Sequence, residues 1–329
     1  MSGRDSALGA LYGLAIGDAL GMPTQLMSRA AIAERYGTLQ TFEPADDDHP
    51  LAAGMAAASI TDDTEQALLV ARLLIEGGGH VDGRRFAGEL VRWEDGMRAR
   101  GSLDLLGPST KRAVEAVLEG ASVEESGRYG TTNGAAMRVA PVGIVVPSTD
   151  VRELVDRVEE VSRVSHNTGV AIAGASAVAA VVSAGVDGAT ATDAIEFALE
   201  AARVGAGRGY WVAAADIAAR IRLALEVADP ADPEASLTRI YELVGTSLAS
   251  QESVPAAFGI LSLYPGDPWA ACLAAASLGG DSDTVAAMAG AMGGSLHGID
   301  ALPAPAGRTV VEVNSLDLES VADQLLALR

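Results

Sequence analysis

The sequence predicts an all-α protein, on three observations. Runs with apolar residues three and four apart recur from end to end, in a chain whose aromatic content is only 4%. Ala is abundant, which favours helices and lets them approach closely. Alternating β-type stretches are nearly absent; residues 309–313 are the one fair strand candidate, and such a strand would stand alone.

The first helix is expected over 5–20, opened by Asp5-Ser6 as a cap, with Leu8, Leu11, Leu14 and Ala15 on one face. The same logic gives helices over 62–76, 84–99, 109–119 and 150–164. It continues over 168–185, 190–204, 209–227, 236–249, 267–277, 283–296 and 316–328. Gly and Pro punctuate these runs, as at 76–79 and 229–233. No helical repeat of fixed period is present, which argues against a solenoid. No low-complexity linker divides the chain, so one domain over 1–329 is expected. The irregular segment 37–60, with Asp46-Asp47-Asp48-His49, reads as a long surface loop of the kind used for lids or binding. Its Asp run reads as a solvated turn.

Lys and Arg total 23 against 44 Asp and Glu, a formal charge of -21. Such a surface repels nucleic acid and anionic lipid, so neither is an expected partner. A phosphate-bearing substrate would need local positive charge, which bound divalent cations can supply. Cys272 is the only cysteine, consistent with a reducing compartment. The N-terminus lacks a secretory pattern. Residues 170–186 are apolar but rich in Ala, Gly and Ser, and read as a helix buried in a bundle rather than a membrane span. A soluble cytoplasmic protein is expected, as a monomer or small homo-oligomer.

Two clusters carry the chemistry. Thr61-Asp62-Asp63-Thr64 and Asp281-Ser282-Asp283-Thr284 each sit at the mouth of an Ala-rich helix. Their carboxylates and hydroxyls are hard oxygen donors, suited to a pair of Mg2+ or Mn2+ ions if the clusters meet. The plainer reading of each is a helix N-cap, although two adjacent Asp exceed what one cap needs. Gly279-Gly280 permits close backbone approach before the second cluster. Between them, Tyr129-Gly130-Thr131-Thr132-Asn133-Gly134, followed by Met137 and Arg138, offers backbone N–H groups and small polar side chains to phosphate or sugar; an ordinary turn is the alternative. Ser165-His166-Asn167 lies between two helices, where a His serves as a cap or core residue as readily as a ligand.

Together with Gly13-Leu-Ala-Ile-Gly17-Asp18-Ala19-Leu-Gly21, these segments, in this order, resemble the ADP-ribosylglycohydrolase family, which includes the dinitrogenase reductase-activating glycohydrolases. The resemblance runs from about residue 5 to 300. It implies an orthogonal helical bundle with a dinuclear Mg2+ or Mn2+ site. Thr61, Asp62 and Asp63 would supply one set of ligands, and Asp281, Asp283 and Thr284 the other. Cleavage would fall at the distal ribose of an ADP-ribosylated protein or small molecule, with oxocarbenium character at the anomeric carbon. Asp62 and Asp283 would share in catalysis, and Asp104, in a segment similar to the family's Asp-x-Gly-x-Thr-Thr but one residue longer, would be the candidate base. Gly130, Thr131, Asn133, Gly134, Met137 and Gly280 would cradle the ribose and phosphates, and His166 would touch them.

The chain departs from the pattern at Gln25, where family members commonly carry Glu after Gly-x-Pro-x. An amide donates and accepts hydrogen bonds but takes no proton as a base. Asp104 then takes over, or the substrate is a smaller nucleoside-type glycoside, or the protein is a non-catalytic ADP-ribose-binding or crystallin-like relative. Gln25 itself is kept as a substrate-binding candidate.

Overall fold

The computed structural model describes residues 1–102 and 106–329. Helices dominate, and among the described residues there is no strand, only isolated bridges at Thr132–Ala249 and Thr168–Tyr210. The all-α expectation holds.

The helix Gly3–Gly21 starts in a capping box between Ser2 and Asp5 and buries nearly its whole length. It runs antiparallel to Ser282–His297, and the two touch backbone to backbone. Gly9, Gly13, Gly17 and Gly21, one per turn, face the partner; a Cβ on Gly13 would lie 2.0 Å from the Gly290 carbonyl oxygen, and one on Gly17 2.1 Å from that of Ala286. Gly290 and Gly294 make the reciprocal approach. No side chain fits between these axes, so the spacing of four is a packing seam. Its end brings Gly21 against the backbone of Asp283, which is how the seam reaches the site.

Gly169–Val186 passes through the middle of the core. It is the one described helix long and apolar enough to cross a membrane, yet 89% of that window is buried inside the protein, as expected for a core helix.

Several expected elements differ. Residues 309–313 are not a strand but the last turns of Ala304–Asn314. Their β-branched run is outweighed by Val310, whose burial matches a helical face. The helix expected from 209 begins only at Ile217, because Gly209 takes φ +59 and Tyr210 pairs with Thr168. The helix expected over 236–249 is Pro233–Arg239 followed by a wide turn, Ile240–Val244, and ends at Gly245 with φ +87. Ser250–Leu263 was not expected, since Pro255 lies inside it. The carbonyl that Pro255 cannot bond, that of Gln251, accepts instead from Arg220 Nε at 3.1 Å. The short helix Arg29–Tyr36 is also additional.

Arg329 closes the bundle. Its guanidinium donates to the carbonyls of Gly143, Ile144 and Val146 at 2.7–2.9 Å and to that of Ser183 at 3.1 Å, beside Asp187 at 2.8 Å. These are mostly orphan carbonyls at the end of Ala140–Val145. Arg329→Ala is expected to destabilise the protein by about 2–4 kcal/mol, read by chemical denaturation, because buried acceptors lose a charged donor. Unchanged stability would show that water replaces it.

Candidate active site

Thr61 caps Asp62–Glu76, and Asp281 stands at the start of Ser282–His297. Gly279 and Gly280 take φ +87 and +80, and a Cβ on Gly280 would lie 2.4 Å from the Thr246 carbonyl oxygen, so the turn needs glycine there. The two clusters meet: Thr284 Oγ1 donates to both Asp63 oxygens at 3.2 Å, across 221 residues of sequence.

Asp18, fully buried on the first helix, ties the first cluster down. It accepts from the backbone N–H of Thr61 at 3.0 Å and of Thr64 at 3.1 Å, and from both threonine hydroxyls. In the sequence Asp18 stands inside the Gly13–Gly21 motif with nothing to assign it a role. The available signal was a carboxylate deep in the apolar part of the helix, since such a group is almost never buried without partners.

Burial, and then the mutual repulsion of Asp63 and Asp283 with Asp18, Asp62 and Asp281, holds the Asp63 and Asp283 carboxyls well above the usual range. Burial also pushes Asp18 and Asp281 up to about 6, against the hydrogen bonds they accept. Asp281 accepts from Asn133 Nδ2, which also donates to Ser253 at 2.9 Å. Asp283 Oδ1 is buried with no hydrogen-bond partner. Arg138 attracts Asp62 through space, but its hydrogen bonds go elsewhere: it is fully buried over the Phe86 ring and donates to Gln66 Oε1 at 2.9 Å and Ser165 Oγ at 2.6 Å.

A buried chain therefore crosses the site. Gln66 donates to Asp62 at 2.9 Å and Arg138 to Gln66 and Ser165, and the Ser165 hydroxyl hydrogen-bonds His166 Nδ1 at 2.8 Å. His166 Nε2 in turn hydrogen-bonds the Thr132 hydroxyl at 2.8 Å. Burial beside Arg138 and Arg112 keeps the ring's pKa well below its ordinary value. His166 lies beneath the platform: a Cβ on Gly134 would come 2.8 Å from its ring.

A cavity of about 350 Å³ opens above these groups. Gln25, Asp62, Thr132, Asn133, Gly134, Met137, Asp281, Asp283 and Thr284 line it, with Glu94 and Lys111 on its sides. His166, Gly130, Thr131, Gly280, Thr61 and Asp63 are not on that surface; Gly130 instead packs on Ser165 and Gly280 on Thr246. Asp104 lies outside the described residues. Glu94 and Lys111 also line the cavity but lie in no motif, whereas Thr110 and Thr132 belong to the Asp104 and Asn133 segments without a role of their own in the sequence pattern. A larger groove of about 950 Å³ elsewhere has its arginines paired with its own glutamates, as Arg72–Glu89 and Arg100–Glu65, and none of the paired clusters line it.

The family model for ADP-ribosylglycohydrolase matches residues 1–329. The chain belongs to the ADP-ribosylglycohydrolase family. The uncharacterized protein YegU of Escherichia coli is 35% identical over 323 residues, 98% of this chain and 96% of that protein. ADP-ribosylhydrolase ARH3 of Homo sapiens is 26% identical over 319 residues, 90% and 86% of the two chains. A solved structure described as an ADP-ribosylglycohydrolase-related protein complex superposes with a TM-score of 0.72 at 22% identity, covering 99% of each chain, and shows the shared fold. Members of the family are hydrolases acting on glycosyl bonds, and this chain is an enzyme of that class.

The donor types of the cluster, carboxylate and hydroxyl oxygens, are those that hard divalent cations prefer, and one of them, Asp283 Oδ1, is buried without a hydrogen-bond partner. Among the described residues no three acidic or imidazole side chains converge on one point, and Thr284 hydrogen-bonds Asp63.

Proposed function

We propose that this hydrolase cleaves the glycosidic bond at the distal ribose of an ADP-ribosylated protein or small molecule. Thr61, Asp62, Asp63, Asp281, Asp283 and Thr284 would hold two Mg2+ or Mn2+ ions. Bound there, the ions would neutralise the carboxylates and polarise a ribose oxygen or a water. The observation that carries this reading is the orphaned Asp283 oxygen among buried, mutually repelling carboxylates on the wall of a sugar-sized cavity.

The chain's own residues do the rest. Asn133 is held by Asp281 and Ser253 and turns the Thr132–Gly134 platform toward the cavity. The Asp62-to-Thr132 chain fixes that platform, and burial keeps the His166 ring uncharged. Lys111 brings positive charge to the cavity of an acidic protein, which suits a diphosphate. Gln25 is only 4% exposed, and its Nε2 has no partner, so it is placed to donate to a ligand oxygen. The proton-accepting role falls to a carboxylate other than residue 25, with Asp104 the candidate.

The cavity volume, near the low end of the about 300–1,000 Å³ range of ligand sites, favours one alternative, a smaller nucleoside-type N-glycoside. Turnover of ADP-ribosyl-arginine, ADP-ribosyl-serine, O-acetyl-ADP-ribose and free nucleosides, with Mg2+ or Mn2+ and with chelator, separates the two. Metal-dependent release of ADP-ribose is the expected result. Turnover of nucleosides alone would give the alternative, and tight ADP-ribose binding without any turnover would make the protein a binder.

Gln25→Glu is expected to raise KM about tenfold, because it removes the donor and adds a carboxylate to a crowded acidic site. A gain in rate would show instead that the site lacks a base at residue 25.

A further inference from the structure

His49 follows a run of three aspartates that reads as a solvated turn, yet it is itself only 5% exposed. Its Nδ1 accepts the backbone N–H of Leu51 at 3.2 Å and of Ala52 at 2.8 Å. A ring nitrogen that accepts twice carries no proton, so the proton is on Nε2, which donates to the Gln25 carbonyl at 2.9 Å. One imidazole thus joins the loop to the segment that carries Gln25 and Leu26.

The rest of the loop is held away from the cavity, by Arg35 and Tyr36 at Asp46 and Asp48 and by contacts at its base. Ala45 and Ala52 form a small apolar cluster with Met22 and Met55, separate from the main core. Asn314 holds its base, donating to the Ala58 carbonyl at 2.7 Å and accepting from the Ile60 N–H at 3.1 Å. Near the site, Gln25, Leu26 and Leu51 all line the cavity. Leu26 takes φ +60, a conformation Leu rarely adopts, and its N–H donates to the Gly280 carbonyl at 2.7 Å.

We propose that His49 is a positioning residue of the site: it pins the loop of residues 45–58 to the Gln25–Leu26 wall and so sets the cavity wall for the bound glycon. The pin is independent of the ligand; the glycon's identity as ADP-ribose rests on the function proposed above.

The pin requires a neutral ring, because a protonated Nδ1 would point a donor at two donors. Burial is the main cause keeping the imidazole below its ordinary 6.5, and the charges acting on it, Arg35 and Asp48, oppose one another. Arg35 is itself paired with Asp46 and Asp48, and Asp46 also accepts from Tyr36. With the folded-state pKa lowered, the docked loop is fully supported above about 6.5 and loses support as the pH falls below it.

Two variants separate the arms of the imidazole. His49→Asn keeps an acceptor for the Leu51 and Ala52 amides but cannot reach Gln25. His49→Gln can reach the Gln25 carbonyl but gives up the acceptor in the turn. Hydrogen exchange by mass spectrometry is followed over 45–58, with Gly169–Val186 as the internal reference, and ADP-ribose affinity is measured by calorimetry with Mn2+ present. Both variants are expected to speed exchange in 45–58 about tenfold, leave the reference unchanged and weaken ADP-ribose about tenfold. Wild-type exchange in either variant would overturn the pin. Faster exchange with unchanged ADP-ribose affinity would overturn its role in the site. A wild-type protein that fails to bind ADP-ribose would overturn the proposed glycon, while loop exchange would still decide the pin.

Discussion

Asp283→Asn is expected to abolish tight binding of Mg2+ or Mn2+ and to lower hydrolysis at least about 100-fold, while raising the Tm of the metal-free protein. The two effects have one cause. Asp283 is 3% exposed, one of its oxygens has no partner, and Asp281, Asp18 and Asp62 all repel its charge. Without cations that arrangement costs stability, because burial and like charges both penalise the carboxylate. An amide of the same size removes the charge and keeps the shape. The metal-free variant should therefore melt at least about 2 °C above the wild type, and added Mn2+ should no longer raise its Tm. Thermal scans with chelator and with Mn2+ read both. A variant less stable than the metal-free wild type would mean that Asp283 holds the fold rather than the metal.

Gly17→Ala is expected to cost at least about 3 kcal/mol and to lower metal affinity at the same time. Alanine has the better helix propensity, by about 1 kcal/mol, so propensity alone would predict stabilisation. The clash decides the sign: the new methyl would sit 2.1 Å from the Ala286 carbonyl oxygen, and backbone cannot swing aside as a flexible side chain can. The two helices must separate, and they carry Asp18 and Asp283. Gly96→Ala is the control. Gly96 lies inside Gly83–Ala99 with nothing within 4 Å of the added methyl, so that change should stabilise by about 0.5–1 kcal/mol and leave metal binding alone. Urea denaturation and Mn2+ titration of both variants test the contrast; equal behaviour would refute the seam.

The helical pattern and the two Asp clusters were legible because each is written in local spacing. The junction of Asp63 with Thr284 was legible only as a resemblance, since nothing in either cluster encodes its partner. Asp18 was harder, because its importance lies in four donors presented by residues 61 and 64 rather than in its own neighbours. The glycine spacing of the first helix was visible, but that it marks a seam became clear only with Ser282–His297 in contact. Ser250–Leu263 was hidden by Pro255, whose lost bond is made good by the distant Arg220. The Asp run before His49 reads as a solvated turn and gives no hint that the next residue is buried, held by its bonds to Leu51, Ala52 and Gln25. His166 was expected to touch the ligand; it supports Thr132 and Gly134 from below, a difference of one layer that sequence spacing does not encode.

Whether the two clusters form one cation site is decided by calorimetric titration of the metal-free protein with Mn2+. Two ions per chain are expected for the wild type, with loss of tight binding of both in Asp62→Ala and equally in Asp281→Ala. Full binding of two ions in either variant would show that the clusters do not share a site.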